Sequence, residues 1–179
     1  FSYIDRQLLL ILAEPIKIEL GLSDTQIGLL GGFSFALLYT VAGLPIAWLA
    51  DRSNRVRIVA AACALWSLFS TACGFAGNFA QLAVARMGVG IGEAGGTAPS
   101  MSILSDVFPP SQRGRTAALY FLGSPFGVFA GTAAGAALAE AYGWRTAFVA
   151  LSLPGLLLAA LILFVLKEPV RGSMDPEGP

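Results

Sequence analysis

Long tracts of this chain carry no charge, and these gaps constrain its fold more than any other feature. Thr25 to Ala50, Ile58 to Ala85, Thr116 to Ala139 and Thr146 to Leu166 contain no Asp, Glu, Lys or Arg, and Met87 to Ser105 contains only Glu93. About 20 predominantly apolar residues cross a bilayer as an α-helix. Four tracts meet that length outright, and the fifth meets it with one acid inside. A helix in water would need a polar stripe, whereas these are apolar all round. They are expected as transmembrane helices 2 to 6, over about 25–50, 57–76, 79–107, 115–140 and 145–167.

Helix 1 is expected over about 1–14. Phe1 is not an initiator Met, and Phe1 to Ala13 would span only about 20 Å. The first helix therefore reads as truncated, with part of it upstream. A signal peptide is excluded because Asp5-Arg6 interrupts the apolar run and Glu14-Pro15 offers no small-residue cleavage site.

Composition removes further classes. Apolar residues make up 56% and charged residues 12%, far too apolar for a disordered chain. Eleven Lys and Arg balance eleven Asp and Glu, which argues against nucleic acid as an electrostatic partner. With no His, there is no imidazole for a metal or acid–base site, and neither a metal nor a cofactor is expected. Cys63 and Cys73 would lie about 15 Å apart on a helix, too far to bridge, and read as small core residues.

Lys and Arg favour cytoplasmic loops. Arg52, Arg55 and Arg57 lie between helices 2 and 3, Arg113 and Arg115 between 4 and 5, and Lys167 and Arg171 after helix 6. The opposite loops hold only Lys17 and Arg145. Both ends of the six-helix unit are thus expected in the cytoplasm. The polar tail 168–179, with Pro169, Pro176 and Pro179, reads as a linker leading out of a transmembrane bundle at 1–167.

Pro45, Pro99, Pro125 and Pro154 fall in four different spans. Bundle neighbours can satisfy the carbonyls they free, and the resulting kinks suit either a rocking protein or a static one. Gly123, Gly127, Gly131 and Gly135 form a small-residue face on helix 5, suited to close helix contact. Gly90, Gly92 and Gly95 match G-x-G-x-x-G, but a dinucleotide fold needs a preceding strand and a βαβ frame. Inside an apolar run they more simply admit a helix or a substrate.

Ionisable residues inside a bilayer cost at least about 2.5 kcal/mol each on insertion scales and mark function by default. Asp5 and Arg6 are expected about 12–15 Å deep in helix 1. Glu93 is expected near the centre of helix 4, with Arg86 about 12 Å from its outer end. Arg86 and Glu93 are seven apart and share a face with Gly90 and Thr97, a polar, open stripe suited to a water-filled cavity. Asp5 and Arg6 point about 100° apart, so one can face the cavity while the other pairs sideways. A static ion-pair network and a proton-coupling or headgroup site both remain open.

These residues carry a family resemblance over nearly the whole chain. It resembles the N-terminal six-helix half of a major facilitator superfamily transporter, and more specifically the bacterial branch of the Spinster lipid transporters. Tyr3-Ile4-Asp5-Arg6 is similar to the Spinster helix 1 signature, with Ser2 where Asn is common. Asp51-Arg52-Ser53-Asn54-Arg55 resembles the superfamily motif G-x-x-x-D-R-x-G-R-R, with Ala47 and Asn54 in place of the glycines and Val56 in place of the last basic residue. Arg86 with Gly90 and Gly92 resembles a helix 4 motif of proton-linked members. Gly90 to Ala94, Ala98-Pro99-Ser100 and Asp106 form the most Spinster-like stretch, and Gly143-Trp144-Arg145 with Phe148 is common across the superfamily.

The resemblance implies an all-α membrane protein of two inverted three-helix repeats. It implies that helices 1 and 4 line a central cavity and bring Asp5, Arg6, Arg86 and Glu93 together for proton coupling. It implies that Asp51, Arg52 and Arg55 form a cytoplasmic gate against a C-terminal six-helix half, although topology alone would also place arginines there. The implied substrate is an amphiphilic lipid, such as a lysophospholipid or sphingoid phosphate, or a hydrophobic drug. Tyr3, Gly90, Thr97, Tyr120 and Phe121 are candidate cavity residues, the last two equally suited to packing. The implied partners are substrate, protons, the bilayer and the second half, in a bacterial inner membrane. A static bundle or passive channel is the alternative. An intramembrane enzyme fits less well, since one Glu and one Asp are a thin basis for chemistry.

Overall fold

The computed structural model describes residues 2–175. Among them there is no strand, and the order of elements is α1 (Ser2–Ile11), α2 (Ala13–Leu20), α3 (Asp24–Gly31), α4 (Phe33–Arg52), α5 (Arg55–Cys73), α6 (Phe79–Ala94), α7 (Thr97–Val107) and α8 (Pro110–Val165). These form six spans. α1 with α2, α3 with α4, and α6 with α7 make spans 1, 2 and 4, and α5 is span 3. α8 is two helices joined at Gly143, whose φ of 83° suits glycine, giving spans 5 (110–142) and 6 (144–165). Among the described residues three stretches are long and apolar enough to cross a membrane: Asp24–Arg52, Arg55–Cys73 and Pro110–Val165, the last of which holds two spans.

The span ends follow local chemistry. Ser23 and Gln26 form a reciprocal capping box at the start of span 2. Asn54 and Asn78 accept bonds from the amides of Arg57 and Gln81 and cap spans 3 and 4. Span 1 continues as helix to Leu20, past the expected stop near residue 14. Pro15 sits in the first turn of α2, where a missing N–H is tolerated.

Span 4 is expected as one helix but is broken at Gly95-Gly96. There the ladder tightens, Gly95 N donating to Gly92 O at 3.1 Å and Gly96 N to Glu93 O at 3.0 Å. Pro99 is therefore not an interior proline, since it lies in the first turn of α7. Pro45, Pro125 and Pro154 are interior.

The packing has the symmetry of an inverted repeat. Span 1 lies against span 5 along the glycine stripe. A Cβ on Gly131 would come within 2.9 Å of Ile4 Cα, and one on Gly127 within 3.0 Å of Tyr3 Cβ. Span 4 lies against span 2, where Gly90 faces the Phe35 carbonyl. Span 3 packs on span 6, with Cys63 Sγ donating to Gly155 O at 3.3 Å. Exchanging spans 1, 2 and 3 with 4, 5 and 6 maps these contacts onto one another, as two inverted repeats require. The helices' outer faces show Leu44, Phe126, Phe129 and Phe164, all exposed.

Candidate functional site

Two apolar clusters form the interior. One joins Leu8, Leu12, Ile16, Leu82, Trp144 and Phe148; the other joins Phe35, Cys63, Trp66, Val89 and Ala159. Buried polar residues accompany them: Asp5, Ser70, Arg86, Glu93 and Ser152, each no more than 3% exposed.

Arg6 and Glu93 meet. Arg6 Nη2 and Nε lie 2.5 and 2.6 Å from Glu93 Oε2, linking span 1 to the broken part of span 4. The Glu93 carboxylate is enclosed, while the Arg6 side chain is 36% exposed. Arg6 is also framed by the rings of Tyr3, Phe35 and Tyr39, with centroids 4.8–5.5 Å from its guanidinium carbon. Glu93 Oε1 has no partner.

Asp5 departs from the expected cluster. It turns into the bundle, where Ser70 and Ser152 donate to its Oδ1 at 2.7 and 2.9 Å. The 100° between neighbouring helix positions sends Arg6 to span 4 and Asp5 to spans 3 and 6. Arg86 makes no ion pair among the described residues. Its guanidinium lies 5.6 Å from the centroid of Phe35, and its Nε and Nη1 are buried without partners. The four charges thus separate into one pair and two differently housed groups.

A cavity of about 260 Å³ lies beside Tyr3, whose ring also frames Arg6, but none of Asp5, Arg6, Arg86 and Glu93 lines it. Tyr3, Thr97, Tyr120 and Phe121 line it, as do Trp66, Gly123 and Ser124. Gly90 does not, because it is occupied by the contact with Phe35. The glycine stripe of span 5 leaves the helix contact at Gly123, which has nothing within 4 Å. A larger hollow of about 510 Å³ lies between α5 and α6 among exposed Phe75 and Val84, with no charged residue in its lining.

At the end of the bundle where spans 2 and 3 are joined, only one of three gate candidates enters a charge network among the described residues. Arg55 is 2% exposed. Its Nη1 reaches Asp106 Oδ2 at 2.5 Å and Ser102 Oγ at 2.8 Å, its Nε reaches Glu168 Oε1 at 2.7 Å, and its Nη2 reaches Pro169 O at 3.2 Å. Asp51 is exposed, and Arg52 lies over Trp48. The described part of the tail, residues 168–175, packs against this end of the bundle. Glu168 Oε2 accepts from Val56 N at 2.9 Å, Asp106 Oδ1 from Gly172 N at 2.9 Å, and Arg171 donates to the carbonyls of Ala50 and Ser53. Asp175 pairs with Arg113 at 2.8 Å. Pro176 and Pro179 lie outside the described residues. Burial pushes the Glu168 carboxyl up, but the Val56 amide and the Arg55 guanidinium outweigh this and hold it below its ordinary value.

The motifs gave no sign of Ser70, Ser152 and Trp66, because a serine or tryptophan inside an apolar tract is unremarkable. Glu168 had a readable signal: an acid at the end of span 6, on the same side of the bundle as the arginines of the loop between spans 2 and 3.

The family profile described as Major Facilitator Superfamily matches residues 1–178. The chain belongs to this superfamily of membrane transporters. It is 39% identical over 173 residues to an MFS-type efflux pump of Mycolicibacterium smegmatis, covering 97% of this chain and 40% of that protein. It is 35% identical over 158 residues to a probable L-galactonate transporter of Escherichia coli, covering 88% and 35%. The inward-facing, unoccupied crystal structure of a bacterial homolog of the human lysosomal transporter Spinster superposes with a TM-score of 0.92 at 36% identity, covering 99% of this chain and 43% of that one. The chain is an integral membrane protein and spans about two fifths of such relatives. The superfamily consists of transporters rather than enzymes.

Proposed function

We propose that this bundle is half of a secondary active transporter that moves an amphiphilic lipid, such as a lysophospholipid or sphingoid phosphate, or a hydrophobic drug. It does so by alternating access in a bacterial inner membrane, paired with a second six-helix half. The observation that carries the reading is the Arg6–Glu93 pair, set at the break in span 4 beside an aromatic-walled cavity. A break in an intramembrane helix is where transporter folds place binding and coupling groups. The cavity offers apolar walls for a tail, and Arg6 offers a partly exposed cation for a headgroup oxygen.

Coupling follows by linkage. Protonation of Glu93 would release Arg6 to an anionic headgroup, and binding of that headgroup would favour the proton on Glu93. Asp5 is the second proton-bearing carboxyl, housed apart from the cavity. The charges then act as working groups rather than as static pairs. Arg55, Asp106 and Glu168 form the cytoplasmic closure, with Asp51 and Arg52 at its rim.

The test is uptake of a fluorescent lysophospholipid into proteoliposomes of the full-length protein under an imposed pH gradient. Glu93→Gln and Asp5→Asn should each lower gradient-driven uptake at least tenfold while the melting temperature stays near that of the unaltered protein. Unchanged coupled uptake in both variants sinks the proposal. A static bundle or passive channel would give no gradient-driven accumulation in any form. A sugar acid is the second reading, supported by the 35% identity to the L-galactonate transporter and by the unpartnered donors of Arg86. Uptake of L-galactonate without uptake of the lipid would favour it.

A further inference from the structure

Asp5 belongs to a ring of three oxygens. Ser70 Oγ lies 2.7 Å from Asp5 Oδ1, Ser152 Oγ lies 2.9 Å from the same atom, and the two hydroxyls lie 2.8 Å apart. The members come from α1, α5 and α8 and are at most 1% exposed. Every edge is at hydrogen-bond length. No other hydrogen bond of either hydroxyl is present among the described residues.

The protons can be counted. A serine hydroxyl supplies one, and an ionised carboxylate supplies none. With Asp5 ionised, both hydroxyls donate to Oδ1 and the Ser70–Ser152 edge has no proton, leaving two lone-pair oxygens 2.8 Å apart. With a proton on Oδ1, each edge has one: Asp5 donates to Ser70, Ser70 to Ser152, and Ser152 to Asp5. We propose that Ser70 and Ser152 are positioning residues for Asp5, forming with it a ring that closes only when the carboxyl carries a proton. This rests on reading Asp5 as a proton-bearing group of the transporter.

The surroundings supply the other state. From α6, Arg86 faces Asp5 as an opposite charge with Nε and Nη1 unpartnered, and Glu93 stands beyond it, paired with Arg6. From α5 come the Cys63 and Cys73 thiols, both buried, and α8 presents the Ser152 hydroxyl. When the proton leaves, the two hydroxyls and Arg86 stabilise the anion, while the Ser70–Ser152 edge opens. Proton loss therefore changes the bonding that ties span 1 to spans 3 and 6, within the half that holds the cavity.

The experiment is infrared-detected titration of the full-length protein, with the protonated-carboxyl C=O band of Asp5 identified by its disappearance in Asp5→Asn. Ser70→Ala, Ser152→Ala and the double variant are then compared by unfolding titration below and above the midpoint of that band. With the ring closed, either single removal breaks two of its three edges and the double removal breaks three, so the single losses should sum to more than the double loss by about one hydrogen bond. With Asp5 ionised each removal breaks one edge, and the losses should add. Ser70→Thr, which keeps the hydroxyl, should behave as the unaltered protein. Additive losses at both pH values in folded variants overturn the ring. Should neither variant fold, the unaltered protein decides: the Asp5 carboxyl band must be present below the midpoint and vanish above it, and a carboxyl that stays ionised throughout overturns the proposal. Uptake assays judge the coupling reading separately. If Asp5→Asn keeps gradient-driven uptake while the ring titrates as described, the coupling fails and the ring stands.

Discussion

Two buried arginines in this bundle live under opposite conditions. Arg55, at the start of span 3, has partners on Nε, Nη1 and Nη2, drawn from span 4 and the tail. Arg86, inside span 4, is as deeply buried, yet its Nε and Nη1 have none. A buried polar group normally finds its hydrogen bonds, and leaving one unmade costs about 1–3 kcal/mol. The satisfied arginine behaves as a staple. The unsatisfied one keeps two donors unpaired among the described residues. The same contrast separates Asp106, accepting on both carboxyl oxygens, from Glu93, which accepts on one and leaves Oε1 free.

The strongest way to break this comparison is Arg55→Ala. It leaves Asp106 buried without its cation, and the bundle should lose about 3–5 kcal/mol in a denaturant or detergent unfolding titration. A loss below about 1 kcal/mol would mean that the Arg55 network is not a staple.

Glu168→Gln should have a smaller effect, about 1–2 kcal/mol, because the amide keeps part of the contact with Val56 and Arg55. It also removes a pH dependence whose sign is fixed. The folded-state carboxyl lies below its ordinary value of 4.5, so its contribution is fully present above that pH and fades as pH falls through the lowered value. Hydrogen exchange of the Val56 amide should accelerate on acidification in that window, relative to the exchange rate expected from pH alone, and the variant should lack that step.

Arg86→Met is expected to do least to stability, no more than about 1 kcal/mol, since two of its donors have no bonds to lose. Its effect should appear in gradient-driven uptake instead. Equal unfolding losses for Arg86→Met and Arg55→Ala would erase the distinction between the two sites.

The spans were legible because lipid leaves so few options: twenty apolar residues in a row have one way to satisfy their backbone, and charge marks where they leave the membrane. The glycine stripe of span 5 was legible for the same local reason, and it packs against Ile4 and Tyr3. Breaks were harder to see. Gly95-Gly96 and Pro99 together read as ordinary span texture, and only the observed ladder shows a helix ending there.

The sequence by itself determined that acids and bases lie within apolar tracts, because composition and spacing are one-dimensional facts. Only the tertiary structure decided which charge meets which. Asp5 and Arg6 are neighbours in the chain, yet they turn to different helices, and Glu168 meets Arg55 across more than a hundred residues. Pairing depends on where each side chain points once the helices pack, and a few tens of degrees of helix rotation would exchange a serine for an arginine as the partner of a carboxylate.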